Sequence, residues 1–288
     1  MAEDLVCSDL AVECGCTEEK NGVSVSECEV GGCGILRVQI KTPQAAERMR
    51  KPVGHYVTVK CGPIDRMAEE ANARAERALG VELRSMAERL CGKRVTRELS
   101  VLVVGLGNRS STADAVGPET VQHLAVTRHL PRPEGAKYQT AGLCRLSAIE
   151  PGVPATTGLE TAETVCGLVR VTSPDLVVAV DALTARSAAW LGSTVQLSDG
   201  GLRPASGVGR GRCALDRESL GVPVLALGVP TAIRSRLLPD AASLSSEAEW
   251  AEVARRGSHL ITLCEVDVLV RRAGLLLARS IERAFSAF

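Results

Sequence analysis

The sequence predicts an α/β fold, a three-layer sandwich with a mostly parallel sheet, and three observations point to it. Short, uninterrupted aliphatic runs recur at Val101–Gly107 (VLVVGLG), Leu176–Asp181 (LVVAVD) and Pro223–Pro230 (PVLALGVP), as in strands covered on both faces. Segments of helical character separate them, which is the alternation that builds a sheet between helices. The composition is 45% hydrophobic and 24% charged with only two Trp, two Tyr and two Phe, so the core must be aliphatic.

Taken in order, the first thirty or so residues are polar, glycine-containing and weakly periodic, and read as a flexible or peripheral arm. A boundary after Cys33 leaves 34–288 as a single α/β domain. Gly34–Thr42 and His55–Cys61 alternate apolar and polar, as half-buried strands do. Between Pro63 and Cys91, Ile64, Met67, Ala68, Ala71, Ala75, Ala78 and Leu79 recur at helical spacing among Glu and Arg. This reads as a long surface helix with a solvated charged face and a break near Gly80. After the strand at Val101–Gly107, Gly117–Leu130 reads as a helix with proline in its first turn. Strands follow near Tyr138–Ile149, at Leu176–Asp181, Thr194–Ser198 and Pro223–Pro230, with a helix around Leu159–Val171. An amphipathic helix from about Glu265 to Phe288 closes the sequence.

Several functions are disfavoured. The net charge is zero and aromatics are scarce, which argues against nucleic-acid binding by basic patch or base stacking. No apolar run approaches the roughly 20 residues of a membrane span, and the acidic MAEDLVCSDL start lacks the pattern of a secretory signal, so a cytoplasmic location is expected. The eleven cysteines are odd in number and scattered, unlike a disulfide framework. Cys7, Cys14, Cys16, Cys28 and Cys33 cluster but show no paired CxxC spacing, and no metal is expected. In GLGNRS, Ser110 stands where a dinucleotide fingerprint needs its third glycine, and GxxxxGK[ST] is absent. No cofactor is expected. HExxH and GxSxG are also missing.

Ligands of open parallel sheets bind beyond the carboxyl ends of the strands. That rule selects Asp181, the first polar residue after the run LVVAV, and Asp114, in the loop after Gly107. Asp181 alone fits a helix cap equally well. Two carboxylates converging on one crevice could share a proton, one activating water while the other protonates a leaving group. The glycine-rich Pro204–Arg212 loop reads either as substrate-facing or as a long connection.

The segment Val101–Leu130 (VLVVGLGNRSSTADAVGPETVQHLAVTRHL) resembles the signature of the germination protease family, in which a strand, GLGN, a DALGP-like element and VTRHL occur in this order. The resemblance continues in Ser147–Thr161, Val178–Ser187, Gln196–Gly209 and Leu220–Thr231, with Lys51–Val59 upstream and His259–Asp267 downstream. It implies an endopeptidase that degrades the small acid-soluble, DNA-protecting proteins of bacterial spores at germination. It further implies a fold similar to hydrogenase-maturation proteases, a homotetramer and a place in the forespore and spore core. By motif, the aspartate pair of the family falls on Asp114 and Asp181. Asn108, Glu160, Arg186, Asp199 and Ser206, in the matching segments, are candidates to support the substrate site. Ser8–Glu13 (SDLAVE) looks like the TDLAVE at which the family's zymogen cuts itself, which implies a cut between Asp9 and Leu10 releasing a nine-residue propeptide. The sequence departs from the family at Arg109, where Trp is usual, at Ala113, where Pro is usual, and in a shorter Ala232–Arg256 stretch. A hydrogenase-maturation-type enzyme would carry an acid in the turn occupied here by Asn108, Arg109 and Ser110. A non-catalytic binder of spore proteins would have no need to keep both aspartates.

Overall fold

The computed structural model describes residues 8–14, 22–130, 142, 144–202, 214–235 and 259–286. Its strands are β1 (Val23–Val30), β2 (Cys33–Ile40), β3 (Gly54–Lys60), β4 (Ser100–Gly105), β5 (Arg145–Ile149), β6 (Leu176–Ala185), β7 (Thr194–Ser198), β8 (Val224–Ser235) and β9 (His259–Thr262). The helices are α1 (Pro43–Met49), α2 (Glu69–Cys91), α3 (Val116–His123), α4 (Pro154–Thr157), α5 (Thr161–Thr172), α6 (Arg217–Leu220) and α7 (Val266–Ala284).

All nine described strands join one sheet in the order β1-β2-β3-β7-β8-β6-β4-β5, with β9 pairing the far end of β8. The aliphatic runs make the parallel part, β8-β6-β4-β5. The strands that alternate in sequence, together with β7 and β9, add antiparallel pairings, so the sheet as a whole is mixed around that parallel part. The difference follows from coverage: continuous Val/Leu strands need helices on both faces, whereas alternating ones can keep a wetter face. Val101, Val103, Val178, Val180, Leu225 and Leu227 pack on one face against Leu79 and Leu83 of α2 and Leu276 and Leu277 of α7. Leu102, Val104, Val177 and Ala179 pack on the other against Val165 and Val169 of α5. Each of the Val and Leu side chains contributes about 1.5–3 kcal/mol by leaving water.

Four expectations are corrected. The boundary after Cys33 cuts a hairpin, because β1 pairs along its length with β2. The alternation of β1 slips by one residue, from Val23 and Val25 to Cys28 and Val30, and Ser26–Glu29 is exposed on both faces, so no single apolar face marks the strand. α2 runs unbroken through Gly80, where a β-carbon would lie 2.9 Å from Arg283 of α7; the glycine permits a close crossing instead of a break. Nor is its charged face wholly solvated. Glu82 is buried and paired with Arg37, and buried Glu76 binds Asn72 (2.7 Å) and Arg279 (3.3 Å). Finally, α3 ends at His123 instead of running to Leu130. Thr127 and Arg128 both donate backbone N–H groups to Leu146 (2.9 Å), and the Thr127 hydroxyl bonds Cys144 (2.6 Å), so pairing beside β5 displaces the last helical turns. Of the N-terminal cysteines, Cys28 and Cys33 belong to the β1–β2 hairpin. No described helix is long and apolar enough to cross a membrane. The Pro204–Arg212 loop and most of Ala232–Arg256 lie outside the described residues.

Candidate active site

The crevice forms because β4 stops while its neighbour continues. The last β4–β6 pair is Gly105 with Val180, so Asp181 is the first β6 residue without a β4 partner. Asp181 does not end its strand, as the sequence suggested; β6 stays paired with β8 as far as Ala185. Beyond β4 the chain reverses sharply at Gly107 (φ +119), where any β-carbon would sit 1.8 Å from the Asp114 carbonyl oxygen. Only glycine tolerates both the dihedral and the contact.

The returning loop is tied down by its own hydrogen bonds. Ser111 N–H donates to the Asn108 carbonyl (2.9 Å) and Asp114 N–H to the Ser111 carbonyl (2.8 Å). Asn108 N–H donates to Asp114 Oδ2 (2.8 Å), and the buried Thr231 hydroxyl of β8 donates to the Ala113 carbonyl (2.6 Å). Arg109 leads away from the crevice to Glu150 (2.6 Å), Gln122 (2.9 Å) and the Pro118 carbonyl (3.2 Å). This exposed network anchors the loop where a Trp is usual, although exposed ion pairs contribute little stability.

Asp181 is 9% exposed. Burial, then the charge of Asp114, then that of Asp9 push its carboxyl well above the usual range, opposed by one hydrogen bond from Ala182 N–H (2.9 Å). Asp114 is also raised, by burial, against the Asn108 N–H that favours its charged form. The two carboxyls therefore share a field, with the more deeply buried one keeping its proton more tightly.

A third carboxylate reaches this field from residues remote in sequence. Ser8–Cys14 lies against the sheet, with Leu10 fully buried. Asp9 N–H donates to the Thr184 carbonyl (2.9 Å), and Thr184 N–H donates to Asp9 Oδ2 (2.8 Å). Gln196 Nε2 donates to the Asp9 carbonyl oxygen (2.9 Å), while its Oε1 accepts from Ala11 N–H (3.0 Å). The Glu13 carboxylate accepts from Arg186 N–H and Ser187 N–H (2.7 Å each) and from the Ser8 hydroxyl.

The other expected residues divide. Asn108 and Arg186 meet the crevice and the docked segment through main-chain N–H groups. Glu160 stands at the N-cap of α5, its N–H held by Glu163 (3.3 Å). Asp199 binds His55 Nδ1 (2.7 Å) and Arg89 (3.3 Å) past the end of β7. Because β7 runs antiparallel to β8, this places it toward the start of the parallel strands and away from Asp181. Ser206 lies outside the described residues. Sequence reading missed Gln196, Thr184 and Ser187. The one local signal was a glutamine in the middle of the otherwise buried strand TVQLS. The groove lined by Glu163, Cys166, Arg170 and Leu220 contains none of the three aspartates.

The molecule is thus an α/β protein whose mixed sheet brings two carboxyls to the end of its parallel strands, beside a docked acidic segment. Residues 2–247 match the family model for germination protease. A germination protease of Bacillus cereus (strain AH187) is 42% identical over 228 residues, covering 78% of this chain and 59% of that relative. Another, from Bacillus cereus (strain G9842), is 40% identical over 250 residues, covering 83% and 65%. A third, from Bacillus thuringiensis subsp. konkukian (strain 97-27), is 42% identical over 234 residues, covering 80% and 60%. The chain belongs to the germination protease family. It spans only 59–65% of the length of these relatives. Among solved structures, the NiFe hydrogenase maturation protease HycI of Thermococcus kodakarensis aligns with 16% identity and a TM-score of 0.33, covering 68% of this chain and 98% of that one.

Proposed function

We propose that this chain is an endopeptidase made as a zymogen, that it cuts itself between Asp9 and Leu10, and that it degrades small acid-soluble, DNA-protecting spore proteins in the germinating spore. The observation that carries this reading is the docking of Ser8–Glu13 beside the two carboxyls, with the Asp9 charge felt by Asp181 and the Asp9 main chain tied to Thr184 and Gln196. Membership of the germination protease family supports it independently.

In this mechanism Asp181, buried and raised, holds the shared proton, and Asp114, whose charged form accepts the Asn108 N–H, is the base. Water adds to the Asp9 carbonyl carbon as its proton passes to Asp114. The C–N bond then breaks as Asp181 gives its proton to the Leu10 nitrogen. The products are a new carboxylate at Asp9 and a new amine at Leu10. The same reading makes the assembly a homotetramer.

Incubation of purified protein with a small acid-soluble spore protein tests the reading. Wild type cleaves, and mass spectrometry of the mature chain finds Leu10 at its N-terminus. Asp114→Asn and Asp181→Asn each lower the rate by about 100-fold or more, the usual contribution of a positioned acid or base. Activity surviving in both single variants rules out the pair, and a mature N-terminus elsewhere rules out the Asp9–Leu10 cut.

A further inference from the structure

β7 sends Val195 and Leu197 into the core shared with α2 and α7, so Gln196 between them faces the opposite side of the sheet. It is 5% exposed, a buried polar group that has to be hydrogen-bonded. The register sets Gln196 opposite Gly228 of β8, and Gly228 opposite Asp181 of β6. Residues directly opposite one another in a sheet point to the same face, and neighbouring strands are about 4.8 Å apart. The backbones at Gln196 and Asp181 therefore stand about 10 Å apart, by that spacing, with a residue lacking a side chain between them. Gly228 is obligatory there, since a β-carbon would lie 2.7 Å from the Asp181 carbonyl oxygen and 2.6 Å from Leu183.

The main chain of Asp9 is held from both sides of this row, by Gln196 on one and by Thr184, three residues beyond Asp181, on the other. Both ends of the Gln196 amide are used. One orientation satisfies the network: nitrogen toward the Asp9 carbonyl oxygen, which needs a donor, and oxygen toward Ala11 N–H, which needs an acceptor. The Asp9 carbonyl is the one in the Asp9–Leu10 bond.

Resting on the peptidase reading above, the geometry points to Gln196 as a catalytic residue whose side-chain N–H polarises the scissile carbonyl and stabilises the oxyanion formed when water adds to it. The donor already lies 2.9 Å from the ground-state carbonyl oxygen, which puts it within reach of the oxyanion that forms as that carbon becomes tetrahedral. An amide suits the place because it carries no charge to compete with the adjacent carboxyls and does not titrate. Its second bond fixes the chain two residues past the scissile carbonyl. Since both bonds are to main chain, the clamp acts on any peptide laid in this register, and selection by side chain falls to the Thr184, Arg186 and Ser187 N–H groups that hold Asp9 and Glu13. Gln196 itself is unchanged through the reaction.

The test compares wild type with Gln196→Met, which is similar in length but lacks both polar atoms, and Gln196→Glu, read above the pH at which the new buried carboxyl ionises, where it keeps the acceptor for Ala11 and has no donor left. Folding is checked by circular dichroism and thermal melting, and a peptide spanning Ser8–Glu13 is the substrate. Loss of one such donor costs about 100- to 1,000-fold in kcat, and that fall is expected in both variants, with KM rising only in Gln196→Met. A second readout needs no turnover. In the uncut Asp181→Asn chain, the carbonyl-13C resonance of Asp9 shifts when Gln196→Glu removes the donor. Cleavage by wild type with kcat preserved within threefold in either folded variant overturns the role of Gln196 and leaves the peptidase reading standing. A kcat preserved while KM rises makes Gln196 an anchor only, and likewise overturns it. Wild type that cuts neither itself nor the peptide overturns the peptidase reading, and this role with it. If Gln196→Met does not fold, Gln196→Glu and the carbonyl resonance decide.

Discussion

At the scale of single residues, Asp181 is the most informative position. Its carboxyl is raised by burial first and by Asp114 and Asp9 after that. A free aspartate titrates near about 3.9, so over the interval above that value the folded chain holds a proton that the unfolded chain has released. The corresponding stability is fully present below the unfolded value and is lost as pH rises through the folded one. Thermal melts should therefore show the wild-type chain losing stability as pH climbs from about 4 toward neutrality. Asp181→Asn should flatten that slope and melt higher than wild type at pH values where Asp181 is ionised. A steeper slope in the variant would contradict the burial argument. Asp114→Asn removes one of the two neighbouring negative charges, so the Asp181 carboxyl should titrate lower by 13C NMR. An unmoved titration would mean that the two carboxyls do not share a crevice. The place of both aspartates was legible in the sequence because each follows a run of aliphatic residues whose burial is a local property. Asp199 lies away from the carboxyl pair because the strand before it runs the other way, and strand direction is not written in TVQLS.

At the scale of elements, the turn between β4 and α3 does most to position the site. Gly107→Ala puts a methyl group into the Asp114 main chain at a backbone dihedral that alanine disfavours. Such strain costs about 1–3 kcal/mol, and here it also moves the carboxylate. Chemical denaturation should show the loss of stability, and a cleavage assay should show a larger loss of activity than that destabilisation alone would cause. Activity equal to wild type would mean that the loop tolerates another path. The run VLVVGLG announced both the strand and its sharp end. It could not announce that β6 continues past Asp181, since that extension depends on pairing with β8. The same limit explains α2 and α3. Gly80 lowers helix propensity in any local reading yet leaves room for the Arg283 side chain of α7 at the helix crossing, and the last residues of the expected α3 are attached beside β5.

For the molecule as a whole, the crevice is assembled from segments far apart in the chain. The bond between Thr184 N–H and Asp9 spans 175 residues in sequence, and that between Gln196 and Asp9 spans 187. The segment is seated by hydrogen bonds to Asp9, Ala11 and Glu13 and by the apolar contacts of Leu10, which is fully buried. Truncating a buried leucine costs about 2–5 kcal/mol, an upper limit for a segment that can lift off before the core unfolds. In Leu10→Ala, the amides of Asp9 and Ala11 should exchange with deuterium at least about tenfold faster, the equivalent of ~1.4 kcal/mol, while β4 and β6 amides keep their protection. Faster exchange throughout the sheet would instead make the segment part of the global core.

Composition and local pattern were enough to determine an aliphatic α/β protein, the strands at Val101–Gly107, Leu176–Asp181 and Pro223–Pro230, and two acidic residues, Asp114 and Asp181, that follow two of the apolar runs, because burial on both faces imprints a continuous apolar run on each strand. The tertiary structure alone decided that β7 lies beside β8 and runs against it, that Gln196, Gly228 and Asp181 form one row, and that Ser8–Glu13 lies across it. The physical reason is one of range. Side-chain periodicity is set between residues a few positions apart, whereas a neighbour across a sheet is set by strand order and register, on which no local pattern reports.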